Sequence, residues 1–304
     1  MGLATLDIVQ RVRELPGRNA KATAFRQDVA GGGPALKATV IFSMLGGHAT
    51  LVTRLGQGSI SAVIREDLSS HGVAIVDFAG AQYRPSVSTI TVDDSTGDRQ
   101  IVSTDAREDN PDPAMAGESE IRATLDALER ADVVHLDGHH PALALAAARW
   151  GSSRAIPRVV DAGRWKPLMD KLVPISSEVV CSADFAIPTG NGDPIPWILN
   201  QGADFAAVTN GPMPVRWKTK DAQGSVETEK VHAVDTLAAG DFFHGAYSFA
   251  RSFHPSRGGP LDPCSSLRFA GHIAALKCTH PGTREWLAAI PGETPFDYLR
   301  TQQQ

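Results

Sequence analysis

The chain has 304 residues, 42% apolar and 21% charged, a composition that excludes a disordered protein and can bury a large core. Its formal net charge of −5 argues against a nucleic-acid binder, which carries a basic face, yet leaves room for a phosphate site that needs only local positive charge. No apolar run approaches the ~18 residues of a membrane span, the start lacks the basic and apolar regions of a signal peptide, and Cys181, Cys264 and Cys278 form neither a CxxC pair nor a disulfide framework. The expectation is a cytoplasmic protein with reduced thiols.

In chain order, residues 1–9 read as a buried strand that is already under way at its first residue. Residues 10–29 are more polar and alternate. Residues 83–103 contain a β-hairpin: Ser88 to Asp94, the turn Ser95-Thr96-Gly97-Asp98, then Arg99 to Val102. These two stretches predict a small accessory sheet beside a main one. Residues 119–131 read as a helix with Ile121, Leu125 and Leu128 on one face, and residues 142–150 as an Ala-rich helix. Short apolar runs at Val133-Leu136, Arg158-Asp161 and Phe205-Thr209 read as buried parallel strands. Residues 226–234 look strand-like, 235–241 form a turn, and 242–252 and 265–278 are helical. Residues 302–304 are expected to fray. The alternation predicts one α/β domain over 1–304, with a mostly parallel sheet covered on both faces.

The turn Asp235-Thr236-Leu237-Ala238-Ala239-Gly240-Asp241 carries the chemistry. Its small residues let the backbone approach a ligand, and the following helix aims free N–H groups and a positive dipole end at that spot. Such a site binds anions, phosphates above all. A carboxylate at the helix start could hold an attacking hydroxyl, the second requirement of phosphoryl transfer. Taken alone, the turn reads equally well as an ordinary helix cap by Asp241 or Thr236.

The turn resembles the C-terminal signature of the ribokinase-like (PfkB) carbohydrate kinases, Asp-Thr-x-Gly-Ala-Gly-Asp. Gly31-Gly32-Gly33-Pro34-Ala35 resembles their double-glycine sugar motif. Gly2 to Asp7 resembles their first strand, ending in a sugar-contacting Asp, and Leu45-Gly46-Gly47 and Arg54-Leu55-Gly56 their next helix and strand. Ala274 to Gly282 is closest to the C-terminal end of sulfofructose kinase and ketohexokinase-like members. The resemblance spans the whole chain. It implies a three-layer α/β/α sandwich of nine or so strands, a β-sheet lid at about 10–29 and 83–103, and a homodimer through that lid. It also implies ATP with Mg2+, no side chain as a direct metal ligand, and a monovalent cation as an option. Asp241 would be the catalytic base, and the N–H groups of Ala238, Ala239 and Gly240 the anion hole, with Thr236 beside the nucleotide. Asp7, Gly32 and Gly33 would hold the sugar.

Several positions depart from the pattern. Ala238 replaces the first glycine of the turn. The sugar-binding Asn after the double glycine is absent, and Lys37 is either a solvated helix residue or an ammonium facing an anionic substrate. Lys21 stands where sulfofructose kinase has a substrate-contacting Lys, but Ser103 and His139 replace its Asn and Arg partners, which counts against a sulfosugar. His139 could border the pocket or be one of a surface pair with His140. Arg164 could reach nucleotide phosphates or lie on the surface. The Asn-x-x-Glu segment, expected near Phe185 to Thr189, has no Glu, and the Thr209-Asn210-Gly211 turn carries Pro212 to Pro214 where a second glycine belongs. The leading expectation is an ATP-dependent sugar kinase; the rivals are a catalytically impaired sugar-binding protein of the same fold and a nucleoside kinase.

Overall fold

The computed structural model describes residues 1–104, 116–128, 130–188, 190, 192–252 and 259–290. In its first half the chain runs through β1 (Thr5–Val12), β2 (Arg26–Gly32), α1 (Pro34–Met44), β3 (Thr50–Thr53), α2 (Ser59–Ser70), β4 (Ala74–Asp77), β5 (Val87–Asp93), β6 (Arg99–Val102) and α3 (Glu118–Ala127). Next come β7 (Val134–Leu136), α4 (Pro141–Ser152), β8 (Arg158–Ala162), α5 (Met169–Leu172), β9 (Glu178–Ser182) and α6 (Pro194–Asn200). The last third contains β10 (Phe205–Asn210), β11 (Met213–Lys218), β12 (Gln223–Val226), α7 (Ala239–Arg251) and α8 (Pro263–Cys278). Positions 302–304, and Thr189 of the nucleotide segment, lie outside the described residues.

The main sheet has the order β12-β11-β10-β9-β8-β7, with β7 to β10 parallel and β11 and β12 antiparallel. Its central strands are apolar on both faces because both are covered. Val159, Val180, Phe205 and Ala207 point into a core shared with α1, α2, α7 and α8. Their neighbours Val160, Val179, Ala206 and Val208 point into the opposite core, shared with α3, α4, α5 and α6. The result is a three-layer α/β/α sandwich. The turns at the C-terminal ends of β8 and β10, and the N-terminus of α7, therefore share one rim, where parallel α/β sheets place their ligands.

The second sheet has the order β2-β1-β5-β6. It packs on the turn 235–241 through Val9, Ile90 and Val92, which bury Leu237.

Two readings of the sequence need correction. The first strand starts at Thr5, so Asp7 lies inside it rather than at its end. It joins the small sheet because β2 and β5 offer unpaired backbone on both sides of it. The main sheet is consequently not one nine-stranded body. β3 and β4 form a separate parallel pair, and Met1 and Gly2 bridge the gap. The Met1 amine donates to His135 O at 2.7 Å and the Gly2 N–H to Val52 O at 3.1 Å. Beneath them lies a cavity of about 670 Å³, lined by Phe42, Val52, His135, Trp150 and Phe249 among others. Of the stretch 226–234, only Val226 is in a strand, at the end of β12. Pairing of β12 stops at Val226↔Val215, next to Pro214, which has no N–H to give, and Val231 and Val234 are exposed.

Candidate active site

Asp235 builds the turn 235–241. One carboxylate oxygen accepts from the Leu237 N–H at 2.9 Å, the other from the Gly282 N–H at 3.1 Å. The same carboxylate pairs with Arg11 of β1 and stands 3.3 Å from Lys277 Nζ. All three side chains are buried. The N–H groups of Val234 and Asp235 both donate to Cys278 O, tying the turn to the end of α8. From the small sheet, Arg99 Nη1 donates to Thr236 Oγ1 at 3.1 Å.

Ala238 caps α7 with φ 64° and ψ 11°. This is the left-handed conformation that glycine adopts freely and a Cβ opposes by about 1–2 kcal/mol. The Ala238→Gly variant is therefore expected to be as stable as the parent or more so, since the relief of strain outweighs the ~0.4–1 kcal/mol of added unfolded-state entropy. Ala238→Val should lower the stability by 1 kcal/mol or more, because β-branching worsens the same clash (an estimate of about that size). Thermal or urea unfolding of the pair decides it; equal losses in both variants would rule out strain at this position. The Ala239 N–H donates to Thr236 O at 3.3 Å. Among the described residues, the N–H groups of Ala238, Gly240 and Asp241 have no such acceptor and point at the space before the helix.

Asp241 stands in the first turn of α7. Lys37, from α1, places its Nζ 2.9 Å from Asp7 Oδ2 and 3.4 Å from Asp241 Oδ2. Lys37 is thus a buried link between the two carboxylates, not a solvated helix residue. Burial opposes its charge, but Asp7 and Asp241 together lift its pKa above the ordinary value. Burial raises the pKa of Asp241, Lys37 opposes that rise, and Asp161 adds to it. Thr5 Oγ1 donates to Asp7 Oδ1 at 2.8 Å and fixes the rotamer. Gly32 is required by this arrangement: a Cβ there would fall 2.0 Å from Asp7 Oδ1. Gly33 caps α1 at φ 89°, and a Cβ there would lie 2.5 Å from Leu3 O.

Lys37 gives the site a pH signature. Replacing it with Met removes the nearest positive charge from Asp241, so the acid limb of kcat/KM should move to higher pH. An opposite charge at this range shifts a carboxylate by about one unit or more. An unmoved limb would show that Asp241 does not set the profile.

Behind these residues is a polar layer of which the sequence marked only His139 as a candidate, leaving the buried Asp137, Asp161 and His244 unmarked. Asp161 is the penultimate residue of β8 and is buried; burial, then the charge of Asp137, pushes its pKa up to about 7. His244 Nε2 lies 3.2 Å from Asp161 Oδ1, and burial pulls this imidazole down to about 4. Asp137 directly follows β7 and accepts from the Leu3, Ala35 and His139 N–H groups. Burial acts to raise its pKa, but His139, Lys166 and these donors hold it well below the usual carboxylate range. His139 is therefore not a surface histidine: its Nδ1 is 3.2 Å from Asp137 Oδ1 and 3.4 Å from Lys166 Nζ. The available signal was an Asp at the end of an apolar strand, shared by Asp137 and Asp161.

The other expected residues are less concentrated. Thr209 is the penultimate residue of β10, with its Oγ1 3.4 Å from Cys181 O, and Gly211 turns the chain into β11 at φ 52°. Arg164 is exposed just beyond β8. Lys21 is exposed in the connection between β1 and β2 and touches neither Asp7 nor Asp241. Near the missing Glu, Phe185 is buried against Trp165 and Trp197, with ring centroids 5.4 and 6.4 Å away. Among the described residues no group of three or more His, Cys, Asp or Glu could hold a metal ion. Mg2+ ordinarily keeps waters and phosphate oxygens as ligands, so a nucleotide would bring it in.

The family model described as pfkB family carbohydrate kinase matches residues 1–289. The chain belongs to that family. The ATP-dependent ribose-1-phosphate kinase of Halopiger xanaduensis is 26% identical over 296 residues, covering 93% of this chain and 92% of the relative. The ribokinase of Bacillus subtilis is 24% identical over 286 residues, covering 91% and 90%. A provisionally named ribokinase of known structure from Agrobacterium tumefaciens superposes with TM-score 0.80 at 27% identity, covering 99% of this chain and 96% of that one. The present chain is a carbohydrate kinase, a phosphotransferase with a sugar hydroxyl as acceptor and ATP as donor. No helix among the described residues is long and apolar enough to cross a membrane.

Proposed function

We propose that Asp241 is the general base of this kinase and that the turn 235–241 receives the transferred phosphoryl group. The observation that carries the reading is the convergence, at the N-terminus of α7, of a half-buried carboxylate of raised pKa with backbone donors that have no internal acceptor. The acceptor hydroxyl lies between Asp7 and Asp241. Asp241 takes its proton as the oxygen attacks the γ-phosphorus and the bond to the ADP oxygen breaks. The N–H groups of Ala238, Gly240 and Asp241, with a smaller share from Ala239, bind the phosphoryl oxygens. Asp7 accepts from sugar hydroxyls, and Lys37 pairs with both carboxylates and holds them in register. Bound Mg2+ would neutralise phosphate charge.

Thr209, Gly211 and Thr236 border the nucleotide in this reading, and the exposed Arg164 guanidinium is placed to meet its phosphates. His139 acts from behind, through Asp137, and Lys21 makes no contact with the sugar in this arrangement. The small sheet is the lid: Leu237, Arg11 and Arg99 latch it to the turn and exclude water from the transfer. Its outer residues Phe25, Val29, Ile101 and Val102 are exposed, and a homodimer through the lid would cover them. The setting is cytoplasmic.

Release of ADP from MgATP, measured against a panel of sugars, sugar acids, sugar phosphates and nucleosides, tests the reading and names the acceptor. Sugar uptake by calorimetry without any ADP release would support a binding protein that has lost catalysis. Preference for a nucleoside would move the acceptor class.

A further inference from the structure

We propose that the Lys277 ammonium is the resident cation of the phosphate cradle and takes the place of a bound monovalent ion. The inference rests on the reading of the turn 235–241 as a phosphoryl site. Lys277 lies in the last turn of α8 and is 1% exposed. Its Nζ donates to two main-chain carbonyls, Asp235 O at 3.1 Å and His280 O at 3.4 Å, and stands 3.3 Å from Asp235 Oδ2. Main-chain carbonyls with one carboxylate form the hard oxygen set that a small monovalent cation would take, and here the ammonium already holds it. Lys277 also lines the small pocket that contains Asp7, Lys37 and Ala238, so its charge lies directly behind the cradle.

Two features argue that this lysine is more than packing. A buried ammonium is costly unless something requires it. Asp235 does not: Arg11 and the Leu237 and Gly282 N–H groups already satisfy its carboxylate. Furthermore, Arg11 and Lys277 carry two positive charges against the one negative charge of Asp235, all three side chains no more than 3% exposed. Asp94, 3.9 Å from Arg11, has a side chain that is 56% exposed and is therefore screened by solvent. Burial lowers the Lys277 pKa and Asp235 opposes that fall; with Lys277 protonated, the cluster carries one more positive than negative charge in a low-dielectric interior, where it favours a phosphate held by the turn.

The test uses MgATP binding by calorimetry and thermal unfolding, with KCl or NH4Cl exchanged for choline chloride at constant ionic strength. In the parent protein the Kd for MgATP and the Tm should be the same in all three salts within twofold and about one degree, respectively (estimates from the linkage expected for an ion that does not bind). In Lys277→Met the Kd in choline chloride should weaken at least about fivefold, and KCl or NH4Cl should restore part of it and raise the Tm. Should Lys277→Met not fold, Lys277→Gln keeps a donor without the charge and should show the same weakening. Tight, K+-dependent binding in the parent would overturn the proposal, as would a neutral variant with parental affinity in choline chloride. Failure of the underlying reading looks different: Asp241→Asn would then turn over normally, whatever the salt.

Discussion

Asp241→Asn is expected to lower kcat by about 10²–10⁴, the range of general-base catalysis, with sugar binding essentially unchanged. The amide is nearly isosteric with the carboxylate and retains a hydrogen-bonding oxygen, so the hydroxyl can still dock. It has no basic oxygen to accept the proton, so the loss falls on the transfer step. Lys37 keeps its pair with Asp7 at 2.9 Å, so the removal of one carboxylate does not strand its charge. Steady-state kinetics with the acceptor found in the panel, together with calorimetry of sugar binding, separate the two effects. Turnover within a few-fold of the parent would remove Asp241 from the role of base.

The largest stability effect belongs to Asp235, which contacts no substrate in this scheme. Asp235→Ala should destabilise the protein by about 3–5 kcal/mol, the range for breaking a buried ion pair by removing one partner. Arg11 and Lys277 would be left as two buried cations without their common counter-charge. The Leu237 and Gly282 N–H groups would lose their acceptor as well. Since Arg11 belongs to the small sheet and Lys277 to α8, the damage should spread from the turn to both. Urea unfolding measures the loss. A change below about 1 kcal/mol, the range of an exposed pair, would mean that water enters this cluster freely.

Local pattern made much of the architecture legible. The hairpin at 88–102 was visible because its alternation and Ser95-to-Asp98 turn are local signals, and β5 and β6 fall there. The helix after Asp241 was visible from the spacing of Phe242, Phe243, Ala246 and Phe249, all of which are buried. Alternation also misled. Residues 226–234 carry a strand-like pattern, but a strand needs a partner, and β11 supplies none past Val215.

For the site, the sequence determined the reaction type through the resemblance of the turn 235–241 and the glycine motif to the family's signatures, since the turn alone reads equally as a helix cap. The turn 235–241 folds from adjacent residues, so its small side chains, helix start and terminal carboxylate can be read in order. Tertiary structure alone decided what surrounds it. Lys37 meets Asp7 and Asp241 only because α1, β1 and α7 converge, and nothing in its own helix announces that contact. Lys277, in the last turn of a helix, reads like an exposed residue answering the helix dipole, and only the packing of α8 under the turn buries it. Charge interactions act through space and are strongest where water is excluded. Their partners here come from distant parts of the chain, so the folded arrangement had to be seen before they could be named.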